Sequence, residues 1–253
     1  MATSSARRAW ILAIAALAHA QASIASAGTV AVNPTRIVLT ARSRSALLTL
    51  RNEGNEPLRY QVSAFDWRQS PQGQMELRPT EDIVLFPTVL SVEPGQERKI
   101  RIGTIGAFSE QERSYRVFVE EIAPAGDSQG GIRVLTRLGV PVFLQPQAPR
   151  PKAALEDLAV GPEGLTFTLR NTGNVHFIPD AVVVNGTDES GQAVVNEELE
   201  SWYVLAGGVR QFKTPLDAAT CSRLRLVAVQ ARLGSSTLVG KLETPAISCR
   251  ASP

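Results

Sequence analysis

Catalysis needs nucleophiles, bases or metal ligands at workable spacing, and this 253-residue sequence holds few of them. Its two histidines are His19 and His176. His19 falls in an N-terminal segment that reads as removable, so any serine–histidine–acid site would have to use His176. That residue follows Gly173-Asn174-Val175 in a polar turn, where a surface or capping role is expected. Glu120-Glu121 and Glu197-Glu198 pair carboxylates, but neighbours along a strand point to opposite faces and make poor acid–base couples. There is no HExxH, no CxxC and no glycine-rich phosphate loop after a strand. Neither a catalytic site, a cofactor, a resident metal nor a small-molecule substrate is expected. Beyond the leader the only histidine is His176 and the only methionine Met75, a shortage that weighs against a copper-binding role.

The N-terminus has the build of a secretory signal peptide. Arg7 and Arg8 supply a positive start, an apolar run covers residues 10–17, and Ala25-Ser26-Ala27 forms a small-residue cleavage pattern, with Ala20 and Ala22 as other cut points. The run is short against the ~20 residues of a spanning helix. Export to the periplasm is expected. Removing Arg7 and Arg8 from 26 basic residues leaves 24 against 24 acidic ones. A nucleic-acid partner normally leaves a basic footprint, and none is present. In an oxidising compartment Cys221 and Cys249 are most simply a disulfide, worth about 3–4 kcal/mol in the chain-entropy model.

The elements that would carry any site are strands. Leu165, Phe167 and Leu169 alternate with Thr166, Thr168 and Arg170, the period of a half-buried strand. Similar segments cover residues 46–50, 60–64, 100–102 and 115–119, separated by turn signals such as Pro94-Gly95 and Asn185-Gly186. This pattern predicts an all-β chain of two sandwiches in tandem. Leu50-Arg51-Asn52-Glu53-Gly54-Asn55 recurs as Leu169-Arg170-Asn171-Thr172-Gly173-Asn174, so each half repeats a strand-to-turn corner. The proline-rich stretch 146–152 reads as a stiff connector. The expected organisation is a signal peptide at 1–27, a first domain at 28–146, a linker at 147–154 and a second domain at 155–253.

Binding chemistry is better represented than catalysis. Ile132, Val134, Leu138, Val140 and Val142 share one parity in the segment 130–143, with Thr136 interrupting them. A core strand is one reading of that row. Pro141, which cannot donate a ladder hydrogen bond, argues instead for a sheet edge at that end. An exposed apolar edge is an aggregation hazard unless partnered, and it is the element used in β-augmentation. The same edge is open to self-association.

Several ordered segments carry a resemblance. Asn33-Pro34-Thr35-Arg36-Ile37 is followed by Tyr60-Gln61-Val62, Trp67, Phe86-Pro87 and Val92-Glu93-Pro94-Gly95-Gln96. Then come Lys99-Ile100-Arg101-Ile102 and Tyr115-Arg116-Val117-Phe118-Val119-Glu120-Glu121-Ile122-Ala123-Pro124. In this order they resemble the periplasmic chaperones of the chaperone–usher pilus pathway, nearly throughout the first domain and chiefly at residues 171–174 in the second. The resemblance implies two immunoglobulin-like domains, pilus subunits as clients and an outer-membrane usher as the second partner. It implies that Ile132, Val134, Leu138 and Val140 form a donor strand completing an unfinished subunit. It also implies a basic anchor for the subunit's C-terminal carboxylate. Arg36 matches the family's arginine, whereas Pro141 stands where the family has a lysine, so either another basic residue such as Arg101 or Arg137 completes the anchor or the carboxylate is held differently. The short connection at 123–131 points to a divergent, short-loop branch. The alternative is a structural pilus subunit or surface adhesin.

Overall fold

The computed structural model describes residues 30–124, 134–161 and 164–244. The leader, Ile132 and Cys249 lie outside the described residues. As expected from the alternating pattern, the fold is all-β, with two immunoglobulin-like sandwiches in tandem.

In the first sandwich, one sheet has the order β1 (Val30–Asn33), β3 (Ser45–Asn52), β8 (Glu97–Thr104), β6 (Ile83–Phe86). The facing sheet has the order β2 (Ile37–Leu39), β10 (Arg137–Leu144), β9 (Arg113–Glu121), β4 (Leu58–Gln69), β5 (Met75–Pro79), and β7 (Val89–Val92) also pairs β4. Alternation decides what each strand buries. Leu48 and Leu50 of β3 meet Ile100 and Ile102 of β8 and Tyr115, Val117 and Val119 of β9 in one core. Fully burying each such aliphatic side chain contributes about 1.5–3 kcal/mol.

The second sandwich has the sheet β11 (Ala153–Gly161), β12 (Gly164–Asn171), β15 (Val209–Thr214). It faces β14 (Ala193–Leu199), β13 (Ala181–Thr187), β16 (Leu226–Leu233), β17 (Ser236–Glu243). Its core is built on Leu165, Phe167 and Leu169 against Val182, Val184, Val227 and Val229. The short helix α1 (Ala218–Arg223) is capped by Asp217, whose carboxylate accepts from the Thr220 N–H at 2.6 Å.

The repeated corner has one physical cause in both halves. Asn52 is fully buried at the end of β3; its amide donates to Glu56 O (2.7 Å) and Val92 O (2.9 Å), and its oxygen accepts from Gly54 N (2.9 Å). Asn171 does the same at the end of β12, donating to Val175 O (2.8 Å) and Val204 O (3.0 Å) and accepting from Gly173 N (3.0 Å). Each amide satisfies carbonyls that the departing chain would otherwise bury unpaired.

Candidate binding edge and cleft

β10 pairs with β9 along its whole length, from Arg137 opposite Glu120 to Leu144 opposite Arg113. On its other side it meets only β2, in parallel, from Val142 opposite Ile37 to Leu144 opposite Leu39. The stretch Arg137 to Pro141 therefore has no strand on its outer side among the described residues. Upstream the chain stays tied to β9, since Thr136 O accepts from Glu121 N at 2.9 Å and Thr136 N donates to Glu121 Oε2 at 3.1 Å. Pro141 sits at the last place before the outer pairing begins, where a missing N–H costs nothing in the ladder.

The apolar row divides along this strand. Val134 is 73% exposed and Leu138 is half-buried against the first core. Val140 corrects the expectation from parity: it is only 2% exposed and packs inside its own sandwich, so it has no side chain to lend. Among the described residues the regular strand begins at Arg137, and residues 134–136 of the expected segment precede it. Leu135, of the opposite parity, is 45% exposed.

The three cationic candidates do not converge. Arg36 is exposed in the turn before β2, one place ahead of the Ile37–Val142 pair and hence level with Pro141. With Asn33, Pro34, Thr35 and Tyr203 it lines a cleft of about 410 Å³. Arg137 is at the far end of β10, where its Nε lies 2.7 Å from Glu120 Oε1 and its guanidinium 4.0 Å above the Phe118 ring. Arg101 is on the outer face of the opposite sheet, between Leu47 and Phe86, with Nη1 3.4 Å from Ser45 Oγ. Neither is brought to the corner that Arg36 occupies.

A different arginine is. Arg116 lies on β9 directly opposite Pro141, and Arg36 stands in the bend one residue before β2, next to the Ile37–Val142 pair. Arg116 is 6% exposed, with its guanidinium 4.1 Å from the Trp67 ring centroid and 5.6 Å from those of Trp202 and Tyr203. Nη1 donates to Gly139 O at 3.2 Å, while the buried Nε has no hydrogen-bond partner among the described residues. Burial pulls the guanidinium below its ordinary range, but an arginine remains protonated at any physiological pH. Gly139 makes room for this arrangement, because a Cβ there would stand 3.1 Å from the Phe118 ring. The available signal was a cation inside the otherwise apolar run 115–119, since a buried charge is either paired or functional.

Residues 29–150 match the family profile described as "Pili and flagellar-assembly chaperone, PapD N-terminal domain". Over that stretch the chain is similar to the pilus-assembly chaperones. Solved structures of similar fold include a chain of the CsuC–CsuE chaperone–tip adhesion subunit pre-assembly complex from archaic Csu pili of Acinetobacter baumannii. It has a TM-score of 0.60 and 17% identity, over 84% of this chain and 97% of that one. A chain of the Salmonella enterica SafA pilin–SafB chaperone complex has a TM-score of 0.57 at 14% identity, covering 86% and 98%. The Escherichia coli chaperone DraB has a TM-score of 0.55 at 15% identity, covering 87% and 97%. No curated protein matches the chain by sequence.

The outer face of β9 is covered at Arg116 by Trp202 and Tyr203 of the second domain, and at Phe118 by Phe65 and Arg137 of its own sheet. Trp67, Phe143 and Leu205 form a small core at the joint, with Tyr203 packed against it. His176, expected at a surface turn, belongs to that joint instead. Its Nδ1 is 2.6 Å from Glu112 Oε1, its N–H donates to the same oxygen at 2.9 Å, and its ring stacks on Phe143 at 3.7 Å. The histidine helps to fasten the two domains. Cys221 is buried in α1, and its expected partner Cys249 lies outside the described residues.

Proposed function

We propose that this protein is a chaperone that is exported to the periplasm, captures pilus subunits by donor-strand complementation and delivers them to an outer-membrane usher, without catalysis. The observation that carries the reading is the half-open β10, free on one side from Arg137 to Pro141 among the described residues and ending beside Arg36 and Arg116. An unfinished subunit sandwich offers an apolar groove and an unpaired edge. The segment led by Ile132 and Val134, with Leu138, fills the groove, and the free backbone of β10 satisfies the edge. Arg36 and Arg116 receive the subunit's terminal carboxylate, Arg116 standing in for the lysine that Pro141 replaces. A carboxylate accepting from one or two guanidinium groups makes the stronger, charge-assisted kind of hydrogen bond. The first domain, 28–146, carries this site, and the second, 155–253, is closed by a Cys221–Cys249 disulfide.

Co-expression with the subunits encoded beside this chain tests the proposal. A one-to-one periplasmic complex is expected, lost when Val134 and Leu138 are both changed to Asp. Equal recovery of complex with both charges in place would remove the donor-strand assignment.

A further inference from the structure

The cation opposite Pro141 is dry because of the second domain. Of the three rings around the Arg116 guanidinium, Trp67 comes from β4, whereas Trp202 and Tyr203 come from the segment between β14 and β15. Tyr203 also lines the cleft that holds Arg36, so one residue borders both cationic positions. We propose that the second domain completes the client-carboxylate site, with Trp202 and Tyr203 roofing Arg116 so that its unpaired charge faces an arriving carboxylate out of water. This rests on the donor-strand reading above and adds a role for a domain to which that reading assigns none.

The roof is held by groups that recognise its backbone. Gln69 Nε2 donates to Tyr203 O at 2.6 Å, and Leu205 N donates to Gln69 Oε1 at 3.4 Å. Gln111 Nε2 donates to Ala206 O at 2.5 Å. Behind it, Val204 exchanges hydrogen bonds with Phe177 at 2.8 and 3.1 Å, and its carbonyl accepts from the Asn171 amide at 3.0 Å. Two first-domain glutamines thus fix where the second-domain rings stand. Trp202 is 37% exposed and the cleft at Arg36 is open, which leaves a route for a terminal carboxylate.

Two physical consequences follow. Moving an ion pair from an effective dielectric of about 80 to about 20 strengthens its attraction roughly fourfold. A guanidinium with an unpartnered Nε, and no carboxylate beside it among the described residues, also opposes folding until something pairs with it. The site is poised for an anion at the free chaperone's expense, so Arg116→Met should raise the melting temperature of the free protein while removing anion binding. A merely structural arginine would lower it.

The test titrates sodium acetate against the full chain and follows the Arg116 Nε–H by NMR, with sodium chloride at matched ionic strength as control. A saturable shift with acetate alone is expected. Trp202→Ala and Tyr203→Ala should each weaken acetate at least about fivefold by rewetting the guanidinium, and Tyr203→Phe should retain most of the affinity. Undiminished acetate binding in both alanine variants would overturn the roof while leaving the anchor standing. No acetate response in the wild type would overturn the assignment of Arg116 to the anchor itself. Trp202 is partly exposed, so its alanine variant keeps the test decisive if Tyr203→Ala does not fold.

Discussion

At the scale of single residues, the chain separates polar groups that hold the fold from those that wait for a partner. Asn52 and Asn171 are fully committed, each amide bridging two carbonyls at a corner. Replacing either by Ala should cost about 2–4 kcal/mol, measured by urea unfolding, because buried carbonyls lose their donors. Arg36 and Arg116 are the opposite case. Arg36 is exposed, so Arg36→Ala should leave the melting temperature within about 2 °C while cutting recovery of a co-expressed subunit several-fold. The asparagine corner could be recognised from sequence because the same residues recur wherever the same turn must be satisfied. Arg116 showed in the sequence only as a cation inside an apolar run, and its role depends on its setting. Trp202 and Tyr203 reach it from another domain, and its register opposite Pro141 appears only once the strands pair.

At the scale of elements, β10 does two jobs in eight residues. Among the described residues its last three positions are paired on both sides, and its first five only on one. Substitutions along it should therefore part company. Val134→Asp, at an exposed position, is expected to spare stability and impair subunit capture. Val140→Asp should destabilise the free chaperone by about 3 kcal/mol or more, since it places a carboxyl in the first core. Thermal unfolding of the isolated variants beside subunit recovery distinguishes the two. Alternation located this strand and its apolar parity. It could not say where the row changes from guest-facing to core-facing, because that boundary is set by the three-residue pairing with β2, nearly the whole first domain away in the chain.

At the scale of the whole molecule, two sandwiches and an all-β class were legible because strand period and turn residues are local properties. The joint was not, since its fasteners are ordinary residues in sequence: two glutamines, a histidine and a few aromatics. The first sandwich also carries a pH limit. Burial, and then the charge of Glu121, push the Tyr60 hydroxyl up to about 12. Burial and the hydrogen bond to Asp82 raise Tyr115 further. A folded-state value above the unfolded value near 10 means the folded chain holds these protons more tightly. The resulting stability is complete below pH 10 and is lost as pH rises through about 12, which alkaline titration of unfolding with tyrosinate absorbance would register.

The central claim is that the outer side of β10 from Arg137 to Pro141 is a vacant ladder for a client strand. Amide hydrogen exchange across that stretch, compared between the free chaperone and its purified complex with a co-expressed subunit, tests it most directly. The outward-facing amides of Arg137 to Gly139 should slow at least about tenfold on complex formation, while those of Val142 to Leu144 should already be protected in the free protein. A stable complex in which the exchange of Arg137 to Gly139 is unchanged would contradict it.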